Sequence, residues 1–334
     1  MLTAQRPTVM TAEEFHAFAQ DHQHMTAMWR FVHSGFKVEA LRTNTLLFKD
    51  DWDWLDARVV AVSGTILAAV ADLQAAGLSV PNGGLGTMIS QYQKSSAMRA
   101  ATITMDPRVD AERDRRDYPL VSVPVPIIMV PFDINIRELM SARQHGHALD
   151  SSHIDDATRS VSEGIEALVF NGSTLVVQGT TIYGYRTHPD RNTGSGASWA
   201  TASNIYPNVL TMLSGIKQDG YTGPFKLYLN PIQYQQALAL NANTSTNIMD
   251  TIQSIPGFGR GSVREAGTMP AGEAIMVNMS NNCVDLSVGQ DTTVVQWQEK
   301  GGMAEEYIVM ACLTPRVKST ADGKSGIFHM TGLT

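Results

Sequence analysis

Cysteine is nearly missing from this chain. Two occur in 334 residues, Cys283 and Cys312, with no metal-ligand spacing and no framework that needs oxidation. A reducing, cytosolic setting is therefore expected. Positive charge is also short: 25 Lys and Arg stand against 32 Asp and Glu, a net charge of -7. A dedicated nucleic-acid clamp would be basic. Long apolar runs are lacking too. The most apolar helical stretch, Val59 to Leu78, is interrupted by Asp72 and Gln74, which disfavours a membrane span. The N-terminus carries Glu13 and Glu14 and lacks a basic segment followed by an apolar one, so no secretory signal is read there. A soluble protein with no membrane contact is expected. Its composition, 43% hydrophobic and 17% charged, is that of a globular chain long enough for two modest domains or one elaborated one. No internal repeat or low-complexity tract is present.

Catalytic constellations are missing as well. Histidines 16, 22, 24 and 33 cluster near the start, but His22 and His24 would face opposite sides of a helix, which suits a solvated arm better than a metal. Gly194-Ser195-Gly196-Ala197-Ser198 lacks the nucleophile-elbow pattern. Gly257-Phe258-Gly259-Arg260-Gly261 could cradle a phosphate, yet it neither follows a strand nor opens a helix at the required spacing, and it reads as a flexible loop. No cofactor, no metal and no enzymatic activity are expected.

What is present is organisation. Thr11 to Glu14 fits a capping box ahead of a short helix to Gln20, within a His-rich arm over 1–50. Trp52, Leu55, Val59, Val62, Ile66, Leu67, Val70 and Leu73 recur at helical spacing from Asp51 to Ala76, and Gly77 is placed to end that helix. Pro81 to Gly86 is a turn, and Thr87 to Thr104 reads as strand. A dense mixed-charge run follows, including Arg108, Asp110, Arg113, Arg115 and Arg116. Such a run is usually a solvated face, but its alternating signs also suit pairing with an adjacent subunit. Val121 to Phe132 carries Pro124, Pro126 and Pro131, so it must be an edge strand or an extended arm. An excursion this long is unusual inside a compact domain. Lys94, the only lysine between Lys49 and Lys217, sits within it and reads as a surface charge.

From Asp150 a long helix is expected. Asp155 and Asp156 lie in its first turn, where the helix dipole favours negative charge. Ile154, Ala157, Val161, Ile165 and Leu168 form one stripe over about 18 residues, or about 27 Å, before Asn171-Gly172. Gly164 inside it points to close packing on a neighbouring element, or to a bend point. Beyond a loop-rich segment from Gly179 to Ser198, the pattern alternates. Pro207 to Lys217 reads as helix and Phe225 to Leu229 as strand. Asn230-Pro231 opens another helix, and one more lies near Thr246 to Ile255. Strands are expected at Ala274 to Met279 and Val284 to Val288, and in the tail.

In this order the elements resemble the major capsid protein of tailed phages, the Hong Kong 97 type fold, near its encapsulin-like branch. The likeness is carried by Trp54-Leu55-Asp56, by Pro119-Leu120 leading to Pro131-Phe132-Asp133-Ile134, and by Arg137-Glu138-Leu139. It continues through Leu149-Asp150, the long helix ending Val169-Phe170-Asn171-Gly172, and Gly220-Tyr221-Thr222-Gly223-Pro224-Phe225. The resemblance implies an α+β fold. It has an N-terminal arm at 1–50, a helix region at 51–83, an extended β-hairpin loop at 84–130 and a peripheral domain with a spine helix at 131–199. An axial α/β domain at 200–291 and closing peripheral strands at 292–334 complete it. It implies self-assembly as pentamers and hexamers into an icosahedral shell around double-stranded DNA held without sequence-specific binding. Portal, scaffold and cementing proteins would be partners, and the virion, assembled in a bacterial cytoplasm, the location. Lys94, Arg108, Asp110, Arg113, Arg115 and Arg116 would make intersubunit contacts, and Gly257 to Gly261 would lie at a symmetry axis. Encapsulins begin almost at the tryptophan-containing helix, so the arm before it favours the phage reading over an enzyme-enclosing shell. Some such capsids join a loop lysine to a neighbour's asparagine, a role Lys94 could take.

Overall fold

The computed structural model describes residues 58–63, 67–94, 118–135, 152–240, 246–299 and 304–334, with scattered positions between 96 and 137. The expected arm at 1–50, its capping box and histidines 16, 22, 24 and 33 lie outside the described residues. So do Trp52 and Leu55 of the first helix, which is seen as a helical segment at 58–63 and as α1 (Ala68–Ala75). Val59, Val70 and Leu73 of its predicted stripe are buried. Gly77 ends it at φ 68°, a left-handed conformation open to glycine.

A short strand, β1 (Ser79–Pro81), precedes an antiparallel ribbon of β2 (Ile89–Gln93) and β3 (Leu120–Pro124). The ribbon pairs from Ile89↔Pro124 to Gln93↔Leu120. After Val125-Pro126 comes β4 (Ile127–Asn135), the edge strand of a larger sheet, where its Pro131 disturbs no second ladder.

The expected long helix is α2 (Ser152–Asn171). All five residues of its predicted stripe are buried, and Asp156, Arg159 and Glu163 are exposed on the other side. A Cβ at Gly164 would lie 3.3 Å from Ile128 Cγ2 on β4. Close packing of helix on sheet thus accounts for this glycine. After α2 comes a hairpin of β5 (Ser173–Val177) and β6 (Thr180–Ile182), the second strand falling inside the expected loop-rich segment from Gly179 to Ser198. Its turn is Gln178 (φ 51°) and Gly179 (φ 78°), the paired positive φ values of a two-residue hairpin loop. Gln is an uncommon first residue there, so the turn carried no Asn-Gly signal.

The remaining elements are β7 (Asn192–Ser195), α3 (Ile205–Gln218), β8 (Phe225–Leu229), α4 (Pro231–Ala237), α5 (Ile248–Gln253), β9 (Val263–Glu265), β10 (Ala274–Asn278), β11 (Val284–Glu299), β12 (Ala304–Val317) and β13 (Ile327–Thr331). Asn230 caps α4 as expected, its side chain accepting from the Ile232 N–H at 3.0 Å.

The strands form a four-stranded sheet, β1-β11-β12-β4, and a five-stranded sheet, β7-β13-β10-β8-β9. α2 packs on β4 and β12. At its centre the five-stranded sheet is buried on both faces, which explains why β10 reads as an unbroken apolar run rather than an alternation. Ala274 and Met276 join the core under α3 and α5, whereas Ile275 and Val277 join the core beneath α1 and α2. Tyr228 of β8 meets Phe170 of α2 edge-on at 5.3 Å, tying the two halves together.

β11 continues through 291 and 292, bending at register irregularities between Val288 and Thr293, so the division placed there falls inside a strand. β13, expected among the closing strands of the spine-helix domain, lies between β7 and β10 in the other sheet, and β7 joins it there from within 131–199. Ile327, Phe328, His329 and Met330 are all buried, as an interior strand requires.

Candidate functional site

The ribbon is fastened to the body at its root. Val123 packs against Leu168 of α2 and Ile182 of β6. The Tyr92 hydroxyl donates to the Val317 carbonyl at 3.0 Å, and burial beside Asp285 pushes that hydroxyl's pKa up to about 12. Arg316 donates to Ser90 Oγ at 3.0 Å and to the Gln91 carbonyl at 3.3 Å. Arg316 is itself held by Asp285 through two bonds of 2.6 and 2.7 Å, and Lys318 lies 2.6 Å from the same carboxylate. A bidentate guanidinium–carboxylate pair fixes direction as well as distance.

Beyond the root the apolar side chains are not covered. Tyr118 and Leu120 are more than half exposed, and Ile103 and Met105 are fully so. Large apolar side chains left in water along one segment mark an interaction surface. Of the charged residues expected to make intersubunit contacts, Arg115 and Arg116 are exposed. Arg108, Asp110 and Arg113 lie outside the described residues. Lys94 is no isolated surface charge. Its ammonium lies 3.2 Å from Asp190 Oδ2, which also accepts from Ser319 Oγ at 2.6 Å.

The Gly257 to Gly261 loop sits against β8. Phe258 packs on Phe225 with ring centroids 5.7 Å apart. Gly257, at φ 99°, leaves no room for a Cβ, which would fall 2.9 Å from the Phe225 ring. The Gly257 carbonyl accepts from the Phe225 N–H at 2.8 Å, and the Gly261 carbonyl accepts from Lys226 Nζ at 3.0 Å. Gly259, Arg260 and Gly261 are exposed. The loop is a packed turn with an exposed tip.

Buried charge serves cohesion in this molecule. Asp72 of α1 accepts from Lys226, Arg264 and the Tyr228 hydroxyl. Glu273 accepts two bonds from Arg186 and lies 2.9 Å from His329 Nε2; these partners outweigh burial and hold its pKa below the usual range. Burial pushes the Cys283 thiol up to about 12 and raises Cys312, so neither is a nucleophile at neutral pH. Burial lowers His188 to about 4 despite nearby Asp190, keeping its ring neutral. Among the described residues, no group of three or more His, Cys, Asp or Glu could hold a metal ion. No described helix is long and apolar enough to cross a membrane. Sequence reasoning missed Asp285, Arg316 and Asp190. The first two stand inside the apolar strands VDLSV and TPRV, and a charge in such a run is a signal of a buried partner.

A long amphipathic helix lies on a mixed, mostly antiparallel sheet whose edge strand is entered from a two-stranded ribbon, and a second sheet with buried inner strands adjoins it. This is the Hong Kong 97 type capsid fold. The chain aligns with the virus-like particle from Pyrococcus furiosus at a TM-score of 0.61 and 14% identity, over 84% of this chain and 99% of that one. It aligns with the capsid of Myoviridae Phage XM1 at a TM-score of 0.60 and 14% identity, over 78% and 91% respectively. The type 1 encapsulin shell protein EncA of Myxococcus xanthus (strain DK1622) is 22% identical over 194 residues, 58% of this chain and 65% of that protein. The chain therefore spans just under two thirds of that curated relative. These are structural shell proteins, and the family resemblance read from the sequence holds. The chain belongs to the Family of unknown function (DUF6260), which it matches over residues 41–330.

Proposed function

We propose that this chain is the repeating subunit of a closed icosahedral shell, built from pentamers and hexamers. The observation that carries the reading is a fold shared with a virus-like particle along 99% of that particle's chain. The uncovered apolar side chains of the ribbon support it. Burying one such side chain against a neighbour contributes roughly 1.5–3 kcal/mol, and every copy repeats the contact. In this reading the ribbon is the extended loop of 84–130, α2 is the spine helix, and the exposed tip of the Gly257 to Gly261 loop turns toward a symmetry axis. Arg108, Asp110, Arg113, Arg115 and Arg116 steer the loop onto its neighbour.

The cargo we propose is double-stranded DNA, as in a phage capsid, with portal, scaffold and cementing proteins as partners. Similarity to the EncA shell favours a second reading, an encapsulin enclosing a protein. Purified particles treated with nuclease decide between them: protected DNA supports the capsid, and a protein cargo in nucleic-acid-free shells supports the encapsulin. The shell reading has its own test. Replacing residues 95–117 with a short Gly-Ser turn keeps Ser90, Tyr92 and Lys94 on their partners. The expected result is a subunit with unchanged circular dichroism that forms no closed shells by electron microscopy. Normal shells from that variant would remove the ribbon from the assembly mechanism.

A further inference from the structure

The anchors of the ribbon fall on two sides. Ser90, Gln91 and Tyr92 are all tied to β12, through Arg316 and the Val317 carbonyl. Lys94, at the end of β2 where the ribbon leaves the body, reaches the other way, to Asp190 in the loop after β6. A cavity of about 210 Å³ adjoins the ribbon root. It is lined by Tyr92, Val121 and Val123 of the ribbon together with Thr181, Tyr183, His188 and Val317 of the body. On that side the ribbon's packing is confined to the root, where Val123 meets Ile182 and Leu168, and the space beside it is open. Two strands alone make a marginally stable unit. Outward of the Val123 contact, the Lys94–Asp190 pair is a second attachment on this side.

Asp190 is built to receive that ammonium. Its carboxylate is fixed by the Ser319 hydroxyl at 2.6 Å, and its own backbone N–H donates to His188 Nδ1 at 3.2 Å. His188 in turn packs edge-on against Tyr183 with centroids 5.9 Å apart. The acceptor is therefore preorganised, two residues along the chain from His188, which lines the cavity. The Lys94 backbone, for its part, donates to the Pro119 carbonyl at 3.0 Å, so both strands of the ribbon move with it.

We propose that Lys94 and Asp190 form an electrostatic clasp that sets the angle at which the ribbon leaves the body, and that the adjoining cavity is the space into which the ribbon swings when the clasp opens. Ser90, Gln91 and Tyr92 act as the hinge side of this device. Both partners of the clasp are about a quarter exposed, so salt weakens it while leaving the buried Arg316–Asp285 pair intact. The consequence for assembly rests on the shell reading: a ribbon at a variable angle meets its neighbour in more than one way.

Hydrogen exchange on the full-length protein tests the clasp without reference to assembly. The amides to follow are those of Lys94 and Val125, which close the ribbon by donating to Pro119 and Met88, with β11 and β12 as internal controls. Lys94→Asp and Asp190→Lys are each expected to speed exchange at the ribbon amides roughly fivefold, with control strands unchanged. The double exchange Lys94→Asp/Asp190→Lys is expected to restore the original rates. Lys94→Met, which adds no repulsion, provides a milder second single variant. Unchanged ribbon exchange in the single variants would overturn the clasp, and so would a double variant that fails to recover. A wild-type protein that forms no shells would overturn the shell reading and leave this measurement standing.

Discussion

Asp285→Ala is expected to destabilise the subunit by about 3–5 kcal/mol, because it strands two cations whose partner is gone. Asp285 is 1% exposed, and its carboxylate is the shared acceptor of Arg316 and Lys318. Water cannot replace it at Arg316, whose side chain is only 10% exposed. The penalty is that of leaving a buried guanidinium unpaired, which exceeds the net worth of the pair itself. Removing both charges is accordingly expected to do less harm than removing one: Asp285→Leu with Arg316→Met recovers a large part of the loss. Asp285→Asn, which keeps an acceptor, falls between wild type and Asp285→Ala. Urea unfolding followed by tryptophan fluorescence measures all three. A loss below about 1 kcal/mol for Asp285→Ala would mean that the pair is solvated rather than buried. The effect should extend to the ribbon, since Arg316 also binds Ser90 and Gln91.

Features that depend on neighbours in the chain were legible in the sequence. The α2 stripe, the β8 strand, the Asn230 cap and the Gly77 stop each follow from local periodicity or turn chemistry, and each is present. The prolines of Val121 to Phe132 call for an edge strand or an extended arm, and β4, which holds Pro131, is an edge strand. Features set by distant partners were not legible. β13 was read as a strand, but the sheet it joins is decided by β10 and β7. The same holds at the ribbon root. In the sequence Lys94 stands out only for its solitude, and its partner lies 96 residues away. Arg316 and Ser90 are 226 residues apart. A charge inside an apolar strand says that a partner exists without saying which one. The continuity of β11 past residue 291 was hidden for a different reason. Its irregular register near Gly289 looks, in one dimension, like a strand end.

Glu166→Gln is expected to change how stability depends on pH more than it changes the fold. Glu166 lies on α2, 2% exposed, and its Oε1 accepts from the Ala69 N–H at 2.9 Å in the first turn of α1. It caps one helix from another, since α1 has no side-chain cap of its own. Burial pushes the carboxyl up to about 7 from the ordinary 4.5. The N–H groups of Ala69 and Val70 oppose the rise, and the Asp72 charge adds to it. The folded state therefore holds this proton more tightly than the unfolded chain does. The favourable contribution is complete below about pH 4.5 and is lost as pH rises through about 7, a change of about 3 kcal/mol. Gln keeps the acceptor and cannot ionise. The variant should match wild type near pH 4.5 and exceed it by about 3 kcal/mol above pH 7. Wild type alone will show little of this, because His188 works in the opposite direction. With its folded value near 4 against an ordinary 6.5, His188 contributes stability that grows as pH rises across that interval. Only the difference between Glu166→Gln and wild type, measured by urea unfolding at each pH, isolates the carboxyl. A difference that stays constant from pH 4.5 to 8 would show that Glu166 is already ionised throughout, with its charge matched by the end of α1.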